Sequence, residues 1–185
     1  MEYQTTRLKL RQWREDDLPL FAKMNADPVV MEFYPRTLTV DESNAMARKI
    51  MGLIQTKGWG FWAVERLEDQ QFLGFTGLHE PDYNLPVSPC VEVGWRLDME
   101  YWGFGYATEA ARVALRVAFE ELHISQVYSF ASVGNFKSRA VMERIGMEDT
   151  RFNFEHPLIP PDHSLREHVL YLIKKDTWLM LNERS

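Results

Sequence analysis

Residues 102–110 read Trp-Gly-Phe-Gly-Tyr-Ala-Thr-Glu-Ala, WGFGYATEA. Two glycines stand one residue apart where a helix should begin. The eight residues Cys90–Leu97 upstream, CVEVGWRL, are rich in β-formers, and the pattern downstream predicts a helix over Tyr106–Leu122. A helix begins with N–H groups that have no intrahelical partner. Their partial positive charge favours an anion, and glycine lets the preceding loop curl closely around one. Two readings of the stretch therefore stand: a tight turn, or a cradle in which the backbone itself binds phosphate. Two familiar nucleotide patterns are absent. The chain has no G-x-x-x-x-G-K-[ST]. Gly105 is followed by Tyr106-Ala107-Thr108, so the third glycine of a dinucleotide fold is missing.

Working outward, Thr6–Arg11 alternates apolar and polar residues as a half-buried strand does. Glu15-Asp16-Asp17 opens a helix that runs to Ala26 and stops at Asp27-Pro28. A second helix is predicted over Asp41–Thr56, capped by Thr39 or Asp41. Trp59–Arg66 and Gln71–Leu78 read as a hairpin around a polar break, and Glu80–Pro89 as a proline-rich loop. After the glycine turn come a strand at Gln126–Val133, a helix at Phe136–Ile145 closed by Gly146, and a short strand at Arg151–Phe154. His156–Leu165 is a second proline-rich loop. It precedes a strand at His168–Ile173 and a terminal helix at Lys175–Asn182. This order predicts an α/β fold, a mixed and mostly antiparallel sheet of about six to seven strands flanked by helices. With no repeat or linker, residues 1–185 read as one domain.

Composition narrows the class. Hydrophobic residues make up 45% and charged residues 26%, as in ordinary soluble proteins. The opening MEYQTTRLKL lacks a signal-peptide layout and no apolar run matches a membrane span, which predicts a cytoplasmic protein with no membrane partner. The net charge of −6 argues against nucleic acid as the main ligand but not against phosphate held by backbone amides. Cys90 is the only cysteine, so the chain has no internal disulfide, and no histidine or cysteine spacing matches a zinc pattern; no metal is expected. His156, His163 and His168 read as loop and strand-edge residues.

The stretch WGFGYATEA resembles the coenzyme A-binding signature of the GNAT acetyltransferase superfamily, Q/R-x-x-G-x-G/A. It matches at Gly105 and Ala107 and departs at Trp102, where Gln or Arg is usual. Downstream, Asn135–Met147 (NFKSRAVMERIGM) is similar to the N-x-x-S-x-x-V-x-E-K/R-L/I-G-F/M segment of the RimJ/RimL-type branch, and the opening TTRLKLRQWREDDL resembles that branch's first strand and helix. The matches fall in the family's order over most of the chain. The resemblance implies an N-acetyltransferase that uses acetyl-CoA as co-substrate and a primary amine as acceptor, either a small molecule or a protein N-terminus. It implies that amides of Gly103–Thr108, including Phe104 and Tyr106, face the coenzyme diphosphate. It further implies contacts from Trp102, from the backbone of Trp95, Arg96 and Leu97 to the pantetheine arm, and from Asn135 and Ser138. The oligomeric state stays open; a homodimer is a candidate only because dimers are common among soluble proteins.

Acetyl transfer to an amine needs a base, because an ammonium has no lone pair. Glu92 shares a strand face with Gly94 and Arg96, and the resemblance implies that it is this base. A glutamate salt-bridged to Arg96 is the alternative. Ser138 is by resemblance a proton donor to the departing thiolate; it is equally a second polar residue at a helix start. Asn135 is a helix cap, a coenzyme contact, or both. Gly94 marks a bulge or a close approach by the coenzyme. Phe33, Tyr34, Tyr83 and His79 are candidates to wall the acceptor pocket. Two other functions fit the glycine turn: a non-catalytic acyl-CoA sensor or scaffold, and a general nucleotide-binding protein.

Overall fold

The computed structural model describes residues 2–182. Strands β1 (Tyr3–Gln4) and β2 (Leu8–Arg11) lead into helices α1 (Asp17–Ala26) and α2 (Val40–Lys57). Strands β3 (Phe61–Arg66), β4 (Phe72–His79) and β5 (Glu92–Leu97) follow, then α3 (Tyr106–Arg116), which runs on as a π-turn over Val117–Glu121. Strand β6 (Gln126–Ser132), α4 (Phe136–Arg144), β7 (Glu148–Asp149), β8 (Phe154–Glu155), β9 (Glu167–Lys174) and α5 (Lys175–Asn182) complete the order. One sheet runs β1-β2-β3-β4-β5-β6-β9-β7, with β8 also on β9. Among the described residues only β5 and β6 pair in parallel.

The mixed, mostly antiparallel sheet matches the expected class, but it has nine strands rather than six to seven. The extra strands are two residues long, too short to carry an alternation. The expected strand Thr6–Arg11 is a bent pair: Thr5 and Leu8 exchange backbone and side-chain hydrogen bonds, which folds β1 back on β2. The strand expected at Arg151–Phe154 is two pieces, β7 and β8, either side of Arg151, whose φ is +58°.

Helix α2 begins where a capping box closes it, with Glu42 N–H on the Thr39 hydroxyl and Thr39 N–H on the Glu42 carboxylate. Asp17 does more than complement a helix dipole. It is buried and holds Arg11 with two hydrogen bonds of 2.7 and 2.8 Å, while Glu65 holds Arg11 Nε at 2.6 Å. This charge cluster ties α1 to β2 and β3. Beside it, Trp13 packs on Phe21, Phe72 and Phe75, the apolar contact between α1 and β4. Helices α1 and α2 cover this face of the sheet, and α3 and α4 cover the other.

Two glycines in β4 are compulsory. Gly74 and Gly77 have φ of +135° and +155°. A Cβ would stand 2.1 Å from the Arg96 carbonyl oxygen at Gly74 and 1.9 Å from the Gly60 carbonyl oxygen at Gly77. Backbone meets backbone there, drawing β3, β4 and β5 tightly together.

Candidate active site

Strands β5 and β6 start together and then part. Their one ladder pair is Glu92 with Tyr128, where Tyr128 N–H donates to the Val91 carbonyl. One step on, the Val93 carbonyl accepts from the Ser129 hydroxyl at 2.9 Å, where a regular ladder would place a backbone amide. Beyond that point the strands diverge. Because Val91 and Val93 turn their carbonyls toward β6, alternation turns the Trp95 N–H and C=O toward the gap and those of Arg96 toward β4. The Leu97 carbonyl is taken by Trp102 Nε1 at 2.9 Å.

A cavity of about 1020 Å³ opens at this divergence. It brings together Trp95, Arg96 and Leu97 of β5, the whole turn 102–108, and Asn135 and Ser138 at the head of α4. Side chains of Trp95 and Leu97 lie on one face of the sheet and that of Arg96 on the other, so the cavity has walls on both. The loop 27–39 between α1 and α2 supplies further lining through Val29, Glu32, Phe33 and Tyr34. Phe33 reaches across to Gly134 after β6, where an added Cβ would lie 3.6 Å from its ring.

The turn explains its own glycines. Gly103 and Gly105 have φ of +82° and +81°, a region that a side chain disfavours. A Cβ on Gly103 would meet nothing within 4 Å, and one on Gly105 only Arg7 Nη2 at 3.6 Å. Backbone conformation therefore requires glycine, and the space beside the turn is open. The first helical bond of α3 is Glu109 N–H to the Gly105 carbonyl at 3.0 Å. Gly105 has no side chain to cap the helix, so the amides of Tyr106, Ala107 and Thr108 stand at the cavity without a capping partner. Arg7 pins the turn from outside. It donates to the Phe104 carbonyl at 3.0 Å, pairs with Glu109 at 2.6 Å and stacks on Tyr106 at 4.7 Å. The sequence gives no sign of this pin, because about a hundred residues separate Arg7 from Glu109.

Around the same opening stand Arg112, Lys137 and Arg144, with the exposed rings of Phe104 and Phe136. Lys137 Nζ lies 4.3 Å over the Trp102 ring. Asn135 caps α4, its Oδ1 accepting from Ser138 N–H at 3.1 Å. The donor set is anion-seeking throughout: unpaired amides, guanidinium and ammonium groups.

Glu92 stands apart from this lining, at the closed end of the β5–β6 pair. It is half-buried and forms no salt bridge with Arg96. Burial alone pushes its carboxyl up to about 8. It lies close enough to Tyr83 and Cys90 for its charge to help hold both protonated, although burial is the larger cause at each; the Cys90 thiol rises to about 11. Gly94 marks no bulge, since the β4–β5 register is unbroken there; the Phe61 ring packs against it, 3.1 Å from an added Cβ.

His79 pairs with Glu92 across β4–β5, and burial lowers its affinity for a proton. His156 and His168 meet with ring centroids 4.8 Å apart and planes tilted by 43°, among Phe130, Phe154 and Tyr83. Burial pushes His156 down to about 4, with the neighbouring His168 adding to the effect.

Comparison with known proteins agrees with this geometry. Residues 7–148 match the family described as the acetyltransferase (GNAT) domain. An FsC-acetyl coenzyme A-N(2)-transacetylase of Aspergillus fumigatus is 30% identical over 188 residues, spanning 98% of this chain and 79% of that protein. A putative ribosomal N-acetyltransferase of Bacillus subtilis, YdaF, is 42% identical over 80 residues, 43% of this chain and 42% of that one. Among solved structures, a GNAT-family acetyltransferase from Bacillus anthracis superposes with a TM-score of 0.78 at 23% identity, covering 95% of this chain and 99% of that one. The cavity suits the family's co-substrate, acetyl-CoA: amides at the head of α3 for a diphosphate, cationic side chains at the rim, and a free strand edge at Trp95 for an extended arm. The chain belongs to the GNAT acetyltransferase family.

Proposed function

We propose that this chain transfers the acetyl group of acetyl-CoA to a primary amine by direct attack, with Glu92 as base. The observation that carries the reading is the cavity that opens through the sheet where β5 leaves β6. A donor held on the α3 side and an acceptor entering beneath loop 27–39 can then meet at the gap. The co-substrate, when bound, supplies an acetyl thioester; everything else is done by this chain.

The amides of Tyr106, Ala107 and Thr108 receive the diphosphate, and the Trp95 edge pairs with the pantetheine amides as an added strand would. Asn135 fixes the first turn of α4 and so places the Ser138 hydroxyl at the cavity wall, where it gives a proton to the departing thiolate and is restored by the proton that the attacking nitrogen sheds as the amide forms. Glu92, through water that links it to the cavity, draws a proton from the acceptor ammonium. Its raised value of about 8 suits this task, since a base near the working pH both accepts and releases protons readily. The local match to a ribosomal N-acetyltransferase and the motif at Asn135–Met147 support a place near the RimJ/RimL-type branch.

Gly105→Val tests the reading. The substitution strains a backbone at φ +81° and puts a branched side chain beside the amides. Calorimetry is expected to show acetyl-CoA affinity reduced by about tenfold or more, the size of one lost charge-assisted contact, with the far-ultraviolet spectrum unchanged. Equal affinity in the folded variant would remove the diphosphate assignment. A screen of amines and N-terminal peptides for thiol release, with the product weighed by mass spectrometry, tests the transfer itself. A protein that binds acetyl-CoA yet releases thiol with none of them would be a sensor instead.

A further inference from the structure

Arg96 is 8% exposed and pairs with no carboxylate among the described residues. Its Nη1 donates to the Asn25 Oδ1 at 2.7 Å, its Cζ lies 4.0 Å over the Tyr34 ring and 5.5 Å from Phe75, and its Nε is sealed from solvent without any partner. Nη2 makes no hydrogen bond among the described residues. Glu32 shares the cavity but does not pair with it. The other deeply buried guanidinium among the described residues, Arg11, is treated quite differently, with Asp17 and Glu65 both bound to it. A buried charge without a countercharge is costly, and a neutral amide and two ring faces offset only part of that. Nη2, which is not sealed and lies on the residue's cavity side, is left as the charged donor that a carboxylate entering the cavity can reach.

Position says whose carboxylate it is. Arg96 lies on the α1 face of β5, against Asn25 at the end of α1 and beneath Tyr34 of the covering loop. The diphosphate cradle at α3 belongs to the other face. Arg96 also shares its strand face with Glu92, four residues away, about 13 Å along an extended strand. The geometry points to Arg96 as the site that binds a carboxylate of the acceptor, which makes the substrate class amines that carry a carboxylate several bonds from the reacting nitrogen. This rests on the acetyl-transfer reading of the cavity.

The test compares acceptors that differ in this one group: L-lysine against cadaverine, L-lysine against L-lysinamide, and 6-aminohexanoate against hexylamine. In the unaltered protein, kcat/KM is expected to favour the carboxylate member by about tenfold or more, the range of a hydrogen-bonded charge. Arg96→Gln is expected to abolish the preference while the Kd for acetyl-CoA stays within about twofold, well under the change a lost charged contact would make. Asn25→Asp is the sharper probe. It supplies Arg96 with an internal carboxylate of nearly the same shape, and Ser43, which now accepts from Asn25 at 2.8 Å, can donate to it instead. That variant is expected to melt no lower than the parent and yet to lose the preference. A guanidinium that only fastens the loop would leave the preference intact in Asn25→Asp, which would overturn the proposal. So would equal use of paired acceptors, turnover of none of the carboxylate members, or loss of acetyl-CoA binding in Arg96→Gln. An unaltered protein that does not bind acetyl-CoA at all would instead sink the acetyl-transfer reading, and this proposal with it.

Discussion

Replacing Glu92 with glutamine gives a prediction on two axes at once. The carboxyl is shifted by burial from 4.5 to about 8. At about 1.4 kcal/mol per pH unit, that is roughly 5 kcal/mol against the ionised form, an upper bound because the side chain is only half-buried. Between pH 4.5 and 8 the folded protein keeps the proton and the unfolded chain releases it. Folding therefore takes up a proton, and this group's contribution to stability declines as pH rises through that window, then levels off above about 8. Glutamine does not titrate. Urea unfolding of Glu92→Gln and the parent at a series of pH values from 5 to 9 is expected to show the variant gaining on the parent by up to about 1.4 kcal/mol per unit until about pH 8. Activity should move the other way. With the best acceptor of the amine screen, the parent's kcat/KM is expected to rise with pH to a plateau above about 8, while the variant loses rate by about a hundredfold or more and loses the inflection. A stability difference that does not change with pH would show that the carboxyl is not held neutral. An unchanged pH–rate profile in the variant would show that it is not the base.

Three further outcomes follow from the packing. Gly77→Ala places a Cβ 1.9 Å from the Gly60 carbonyl oxygen at φ +155°, so chemical denaturation should show a loss of more than about 4 kcal/mol or no folded protein; a loss under about 1 kcal/mol would mean that the β3–β4 contact yields easily. Asp17→Asn removes one of two countercharges from buried Arg11 and should cost about 3 kcal/mol, lowering Tm by roughly 6–12 °C; a shift under about 2 °C would show that Glu65 suffices alone. His156 is held neutral down to about pH 4 when folded but protonates near 6.5 when unfolded, so stability present above 6.5 is lost as pH falls toward 4; His156→Phe should lessen that acid loss by up to about 3 kcal/mol, and identical acid titrations would refute it.

Much of the cavity's lining was legible because the glycine turn is a local feature. A helix head, two glycines and a preceding strand lie within about twenty residues, so the turn 102–108 could be read from the chain itself; Trp95–Leu97, Asn135 and Ser138 came from the family resemblance, and all of them line one cavity. Gly103 and Gly105 show why: positive φ is a property of single residues, and it leaves a mark in the residue type. The surroundings of Arg96 left no such mark. Asn25, Arg96 and Tyr34 meet only because α1 and the loop after it fold back over β5, and the Arg7–Glu109 pin joins the two ends of a long stretch of chain. Gly94 is likewise a packing fact, set by the Phe61 ring rather than by any feature of its own strand.

The sequence by itself determined the alternation of helices and strands, the glycine turn and the family: the first two rest on neighbouring residues, through periodicity, caps and a backbone that only glycine adopts, and the family on motifs that recur in order along the chain. The tertiary structure alone decided three things: the point at which β5 parts from β6, the burial that lifts Glu92, and the isolation of the Arg96 guanidinium. Desolvation and unpaired charge depend on what distant segments bring, or fail to bring, to the same place, and no local pattern encodes that.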